Sequence, residues 1–354
     1  MDNKLAQQPG PNPLHAPLPV ARFLPGLLDH PLQALPGLAL LIGLLLLPML
    51  ALALNQDFYI GVASRILIFA LAASSLNLIL GFGGMVSFGH AAFVGVGAYA
   101  VGILMQHGFT SAWLSWPVAF VASGLFALLV GAISLRTRGV YFIMITLAFA
   151  QMLYYLMISL KTYGGFDGLS LSGRSVVGFG LDLSGDSTFY YVVLALAVLV
   201  FLALQRLLNS QFGHALQAIR ENEPRMAAIG FSVYRFKLLA FTLAGSLAGL
   251  AGALLANQGG FVSPSLMQWS QSGMLMVMVI LGGVGHLYGG LVGAVVFLVL
   301  EEVLSTYTIH WQLGLGAGLL AVVLLAPNGL LSLRRRKPQD ASLPAPVDAG
   351  KSPA

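Results

Sequence analysis

An all-α polytopic membrane protein of about ten transmembrane helices is predicted by three observations on the sequence. The 354 residues include only 17 basic and 12 acidic side chains, 8% of the chain, against roughly a quarter in soluble domains. Hydrophobic residues reach 58% and the mean hydropathy is +0.87. The apolar residues also gather into runs close to the roughly 20 residues that a helix needs to cross a hydrocarbon core.

In chain order the runs are 36–54, 58–80, 89–106, 112–135, 139–160, 188–208, 235–257, 271–284, 287–304 and 311–331. Residues 1–35 precede them as an extension containing Pro9, Pro11, Pro13, Pro17, Pro19, Pro25 and Pro31, which a continuous helix does not accommodate. This extension lacks the order of a secretory signal, whose basic residues and apolar core lie at the N-terminus. Its part from Leu24 to Leu35 is a candidate for lying along the membrane interface. The membrane-spanning region is 36–333, and 334–354 reads as a basic, disordered tail. The run 271–284 is too short to cross alone, so its helix starts before Gln271 or ends in non-helical backbone that protein shields.

Basic residues set the orientation. With ten crossings and the N-terminus in the cytoplasm, Lys4, Arg22, Arg136, Arg138, Arg206, Arg220, Arg225, Arg235, Lys237, Arg334, Arg335, Arg336, Lys337 and Lys351 fall inside, Lys161 and Arg174 outside, and Arg65 within a span. That asymmetry places both termini in the cytoplasm by the positive-inside rule. Merging 271–304 into one span would put the Arg334 to Lys337 cluster outside, against the rule. The net charge of +5 therefore reports orientation on a lipid bilayer and not a nucleic-acid partner.

Several chemistries are excluded. The chain has no cysteine, so thiol nucleophiles, iron–sulfur clusters and cysteine zinc sites are absent. Gly350-Lys351-Ser352 resembles the end of a phosphate loop, but Ala345 stands where its first glycine belongs. Neither a cofactor nor a catalytic residue is expected. Ser246 in Ala244-Gly245-Ser246-Leu247 has no evident histidine partner and reads as a helix-packing residue. An ion-coupled secondary transporter needs carboxylates near the bilayer midplane, which the spans almost lack. Arg65 reads as snorkelling or as lining a path, and Glu301 and Glu302 as interfacial.

Two glycine-rich segments carry the first functional signal. One runs from Gly81 through Gly83, Gly84, Gly89 and His90 to Ala98; the other runs from Leu281 through Gly282, Gly283, Gly285 and His286 to Ala294. Each contains Gly-Gly, then Gly-His, then Gly-Ala seven residues after the histidine. Such clusters let a spanning helix break where it lines a protein cavity, and paired breaks point to a transport pathway. An inverted duplication would place the two on opposite faces, yet the topology above puts both near the cytoplasm. Without a second histidine at helical spacing, His90 and His286 read as groups that cap or hydrogen-bond backbone at the breaks, not as metal ligands.

The second signal is the cytoplasmic connection 209–237. Phe212, Ala215, Leu216 and Ile219 form an apolar stripe leading to Arg220-Glu221-Asn222-Glu223-Pro224; a second short helix then starts at Pro224 and stops at Gly230. Two short helices at a charged corner make a lever against which a cytoplasmic motor can push. The third signal is the outer loop 161–187, whose Gly164-Gly165 and Asp167-Gly168 dictate tight turns. Its Asp167, Asp182 and Asp186 form turns or meet a basic partner.

The stretch LNLILGFGGMVSFGHAAFVGVGAYAVG from Leu76 to Gly102, the RGVYF segment from Arg138, the TYGGFDGL loop from Thr162 and GHALQAIRENE from Gly213 together resemble the permease subunits of branched-chain amino acid ABC importers, LivM-type subunits most of all. The resemblance covers about 37–331. It implies a larger-type importer permease fold in the bacterial inner membrane, a second LivH-type permease subunit, two cytoplasmic ATPase subunits and a periplasmic substrate-binding protein. It also implies that Arg220, Glu221, Asn222, Glu223 and Gly230 lie in the connection that docks on an ATPase. This sequence departs from the usual form at Pro224, Arg225 and Met226, where small residues are common. Permeases of the same superfamily carry urea, amides or other amino acids, and nothing in the spans separates these substrates.

Overall fold

The computed structural model describes residues 43–46, 48–49, 58–178, 183–307, 309–325 and 329–330. The extension 1–35, Asp182 and the tail from Arg334 lie outside the described residues. Of the first expected span, only 43–46 and 48–49 are described; they are helical, and Tyr190 Oη donates to Leu44 O at 2.8 Å.

The apolar runs fold as helices whose ends fall within a few residues of the expected boundaries. They are α1 (Phe58–Asn77), extended by a π-helical turn Leu78–Phe82, then α2 (His90–Gln106), α3 (Ala112–Ser134), α4 (Val140–Ser159) and α5 (Asp186–Leu208). Two short helices follow, α6 (Gln211–Glu221) and α7 (Glu223–Ala228). The bundle resumes with α8 (Val233–Gly259), α9 (Trp269–Gly282), α10 (Gly289–Tyr307) and α11 (Trp311–Leu325). Six of these segments are long and apolar enough to cross a membrane.

Small residues bring the central helices together. A Cβ on Gly97 of α2 would strike the backbone of Gly249 on α8, and one on Gly252 would strike Val94 O. Ser123 of α3 sits at this crossing, its Oγ 2.9 Å from Phe93 O and 2.8 Å from Gly245 O. Where lipid is as apolar as the side chains, close approach and such hydrogen bonds drive helix association.

The region 271–304 is two helices. Between α9 and α10 the chain turns at Gly283 (φ 117°) and Gly285 (φ 80°), conformations closed to most residues, and Gly282 packs on Gly289 O. The short helix α9 starts at Trp269, before Gln271. The chain enters it through a 3₁₀ turn, Pro264–Met267, whose Met267 is buried against Gly95. Gln268 Nε2 then donates to Tyr154 Oη at 3.1 Å. The first of the two expected alternatives therefore holds, and Pro264 and Met267 of the entering turn are buried.

The loop after α4 takes positive φ at Gly164, Gly165 and Gly168, as its tight turns require. Its β1 (Leu169–Ser170) then pairs antiparallel with β2 (Phe261–Val262), with Leu169 opposite Val262. This two-stranded ribbon lies at the end of the bundle opposite α6 and α7.

The structure also shows an inverted duplication, paired differently from the sequence motif. Gly83-Gly84-Met85-Val86-Ser87 leads into α2, and Gly259-Gly260-Phe261-Val262-Ser263 leads toward α9. The second glycine is left-handed in both, φ 67° at Gly84 and 61° at Gly260. In both the serine Oγ accepts a backbone N–H two residues on, from Gly89 and Ser265 respectively, at 3.3 Å. One constant interval in the chain relates Gly84 to Gly260, Ser87 to Ser263 and Gln106 to Gly282, so α1, α2 and α3 correspond to α8, α9 and α10. The equivalent breaks sit at opposite ends of the bundle. The counterpart of 81–98 is therefore the segment that follows α8, not 281–294.

Candidate functional site

The two glycine-rich breaks meet beneath α6. Asn77, at the end of α1, reaches across to the second break: its Nδ2 donates to His286 O at 2.7 Å and its Oδ1 accepts Gly285 N–H at 3.1 Å. Arg220, near the end of α6, donates through its guanidinium to Gly81 O and lies 3.0 Å from a Cβ built on Gly84 and 3.1 Å from one built on Gly285. One arginine of the connection therefore touches both breaks. Glycine at 84 and 285 supplies positive φ and also leaves room for the Arg220 side chain, its stem at Gly84 and its guanidinium at Gly285.

The remaining break residues serve close packing. A Cβ on Gly89 would strike Thr146 O on α4, and one on Gly83 would lie 2.8 Å from Ile79 O. His90 departs from its expected role: its ring is wholly buried, and Nε2 lies 2.9 Å from Ser75 Oγ, which itself donates to Ala72 O at 2.7 Å. Its partner is thus a side chain of α1, not a backbone group at the break. His286 enters the contact through its carbonyl, and its Nδ1 finds no partner among the described residues.

The connection itself is two helices at a corner, as the stripe and the proline indicated. Ala215, Leu216 and Ile219 are buried, and Phe212 stacks on Phe236 of α8 at 5.6 Å. Asn222 caps α7 by accepting Arg225 N–H at 2.9 Å, so this helix begins at Glu223 and not at Pro224. Glu223 pairs with Lys237 at 2.7 Å and Arg138 at 3.3 Å, tying α7 to α8 and to the α3–α4 turn. Glu221 is exposed. Gly230 (φ 93°) ends the turn in open space between exposed Ile229 and Phe231.

Other expectations are corrected. Arg65, read singly in the sequence, pairs with Glu301 of α10 at 3.3 Å, so the two residues are partners across α1 and α10. Asp186 holds Arg174, whose guanidinium also donates to Leu183 O at 3.0 Å and lies over the Phe189 ring, so it clamps its own loop. Sequence reasoning passed over Asn77 and Ser75. Their signal was a polar residue in an otherwise apolar helix, and nothing local named their partners.

A bundle of apolar helices with broken segments at its core, and with short amphipathic helices resting on the breaks, defines a multi-pass membrane permease. The profile of the family described as branched-chain amino acid transport system / permease component matches residues 58–326, and the chain belongs to that family. It is 29% identical over 333 residues to the high-affinity branched-chain amino acid transport system permease protein LivM of Salmonella typhimurium, covering 86% of this chain and 78% of LivM. To the corresponding LivH of Salmonella typhimurium it is 25% identical over 281 residues, 74% of this chain and 91% of LivH. To the autoinducer 2 import system permease protein LsrC of Yersinia pseudotuberculosis it is 28% identical over 248 residues, 67% of each chain. No solved structure matches the chain. Members of this kind are permease subunits of ABC transporters and not themselves enzymes.

Proposed function

We propose that this chain is the LivM-like permease of an ATP-driven importer for branched-chain amino acids. It spans the bacterial inner membrane with both termini in the cytoplasm, pairs with a LivH-like permease, rests on two ATPase subunits and accepts substrate from a periplasmic binding protein. The relatives named LivM and LivH support the substrate class. The observation that carries the mechanism is the contact of Arg220 with Gly81 O beside Gly285. In this orientation α6 and α7 face the cytoplasm and the β1–β2 ribbon faces outward.

When partner ATPases close on ATP, they displace the α6–α7 corner. Arg220 delivers that displacement to both breaks, and Glu223 delivers it to α8 and the α3–α4 turn. The helices flanking the breaks then change which face of the path is open, as alternating access requires.

Reconstitution tests the reading. Proteoliposomes holding both permeases and both ATPases should take up radiolabelled leucine only when ATP and leucine-loaded binding protein are supplied. Leucine uptake by this chain alone under a sodium or proton gradient would overturn it.

A further inference from the structure

Two features of the bundle are unused by the coupling mechanism. One is the ion pair between Arg65 of α1 and Glu301 of α10; its free carboxylate oxygen, Glu301 Oε2, is buried and finds no partner among the described residues. A carboxylate oxygen in a membrane interior without a donor is costly, and such groups mark substrate or ion pathways. The other is a narrow apolar cleft with room for about one water. It is lined by Ile68, Phe69 and Ala72 of α1, with residues of α2, α8 and α9 opposite, including Leu255 and Leu275. Those four helices are the two corresponding pairs of the inverted duplication, so the cleft lies where the repeats meet. Transport sites built from broken helices occupy that position.

The two features are continuous. Arg65, Ile68, Phe69 and Ala72 follow the i, i+3, i+4, i+7 spacing of one helix face, and the Arg65 guanidinium lies 5.7 Å from the centroid of the Phe69 ring that lines the cleft. A cation, an anion with one oxygen to spare and an apolar slot one turn away match the three parts of an α-amino acid with an aliphatic side chain.

We propose that Arg65, Glu301 and this cleft form a contact station for the transported amino acid inside the permease. The guanidinium takes the α-carboxylate, the free oxygen of Glu301 takes the α-ammonium, and the branched side chain enters between Phe69, Ala72 and Leu275. A zwitterion inserted between the pair replaces each charge's partner by another of the same sign, so neither ion is left buried alone. The cleft widens to receive the side chain as the repeats move apart. This inference rests on the reading that the chain carries branched-chain amino acids.

The test uses the complete transporter in proteoliposomes with loaded binding protein. Glu301→Gln is expected to lower leucine uptake by about tenfold or more, the scale of one charge-assisted hydrogen bond, while ATP hydrolysis stimulated by the binding protein continues. Ala72→Val, which narrows the slot, is expected to lower leucine uptake more than alanine uptake in the same vesicles. A purely structural ion pair would lower uptake and stimulated hydrolysis together and leave the leucine-to-alanine ratio alone. That result, or unchanged uptake in Glu301→Gln and an unchanged ratio in Ala72→Val, would overturn the station. If the unmodified transporter moves no leucine, the importer reading itself fails, which separates the two failures. Should Glu301→Gln not insert, the Ala72→Val ratio decides.

Discussion

Asn77 and His286, 209 residues apart in the chain, are joined by a 2.7 Å hydrogen bond from the asparagine amide to the histidine carbonyl. The same side chain accepts Gly285 N–H, so it serves as both donor and acceptor to backbone that helix α9 has ceased to satisfy. Asn77→Asp should keep the acceptor but set an oxygen against His286 O, and Asn77→Leu should remove both bonds. Each variant is expected to lose about 1–3 kcal/mol of stability, read as a lower thermal midpoint of the purified protein, with Asn77→Asp no better than Asn77→Leu. An asparagine that merely fills space would tolerate Leu, which is close to it in shape.

Arg220 and Glu221 are neighbours in sequence with different expected consequences. Arg220→Ala removes the contact with Gly81 O and should lower ATP-driven uptake by about tenfold or more while the ATPases still co-purify. Glu221 is exposed, so Glu221→Lys should leave the thermal midpoint unchanged and weaken retention of the ATPase subunits. Equal co-purification and uptake for both variants would remove the lever from the mechanism.

In the triad of Glu223, Lys237 and Arg138, the first two side chains are partly buried and Arg138 is exposed. Glu223→Gln is expected to cost about 1 kcal/mol after solvent screening. The exchange Glu223→Lys with Lys237→Glu should recover part of that loss, measured as a double-mutant cycle on thermal unfolding.

Orientation is directly testable because the chain contains no cysteine. In intact spheroplasts a membrane-impermeant maleimide should label Asp167→Cys on the outer loop. Arg225→Cys on α7 should react only after permeabilisation. The reverse pattern would invert the proposed topology.

Glycines at helix crossings and at turns should differ in cost. Gly97→Val places side-chain atoms inside the Gly249 backbone and is expected to abolish stable insertion, read as loss of folded protein in membranes. Gly230→Ala meets open space but keeps φ near 93°, so about 1–2 kcal/mol of left-handed strain is expected.

The helices were legible because hydropathy and helix period are local properties. Runs such as 188–208 and 235–257 predicted α5 and α8 closely, and the stripe from Phe212 to Ile219 predicted α6. The inverted duplication was only half legible: Gly-Gly and Gly-His drew attention to the break at 81–98 but paired it with 281–294, whose match is longer than that of Gly-Gly-Met-Val-Ser with Gly-Gly-Phe-Val-Ser. Only backbone conformation, left-handed at Gly84 and Gly260, showed which segments correspond.

From its sequence alone the protein was determined to be a multi-pass, charge-poor helical bundle with a charged connection between the apolar runs 188–208 and 235–257, because lipid selects long apolar runs whatever they later touch. The tertiary structure alone decided that Arg220 meets Gly81, 139 residues away, that Asn77 holds the second break, and that Arg65 pairs with Glu301, 236 residues on. Such contacts depend on how helices cross, and crossings are set by small-residue packing and by the need to partner every buried polar group. No local pattern contains that information.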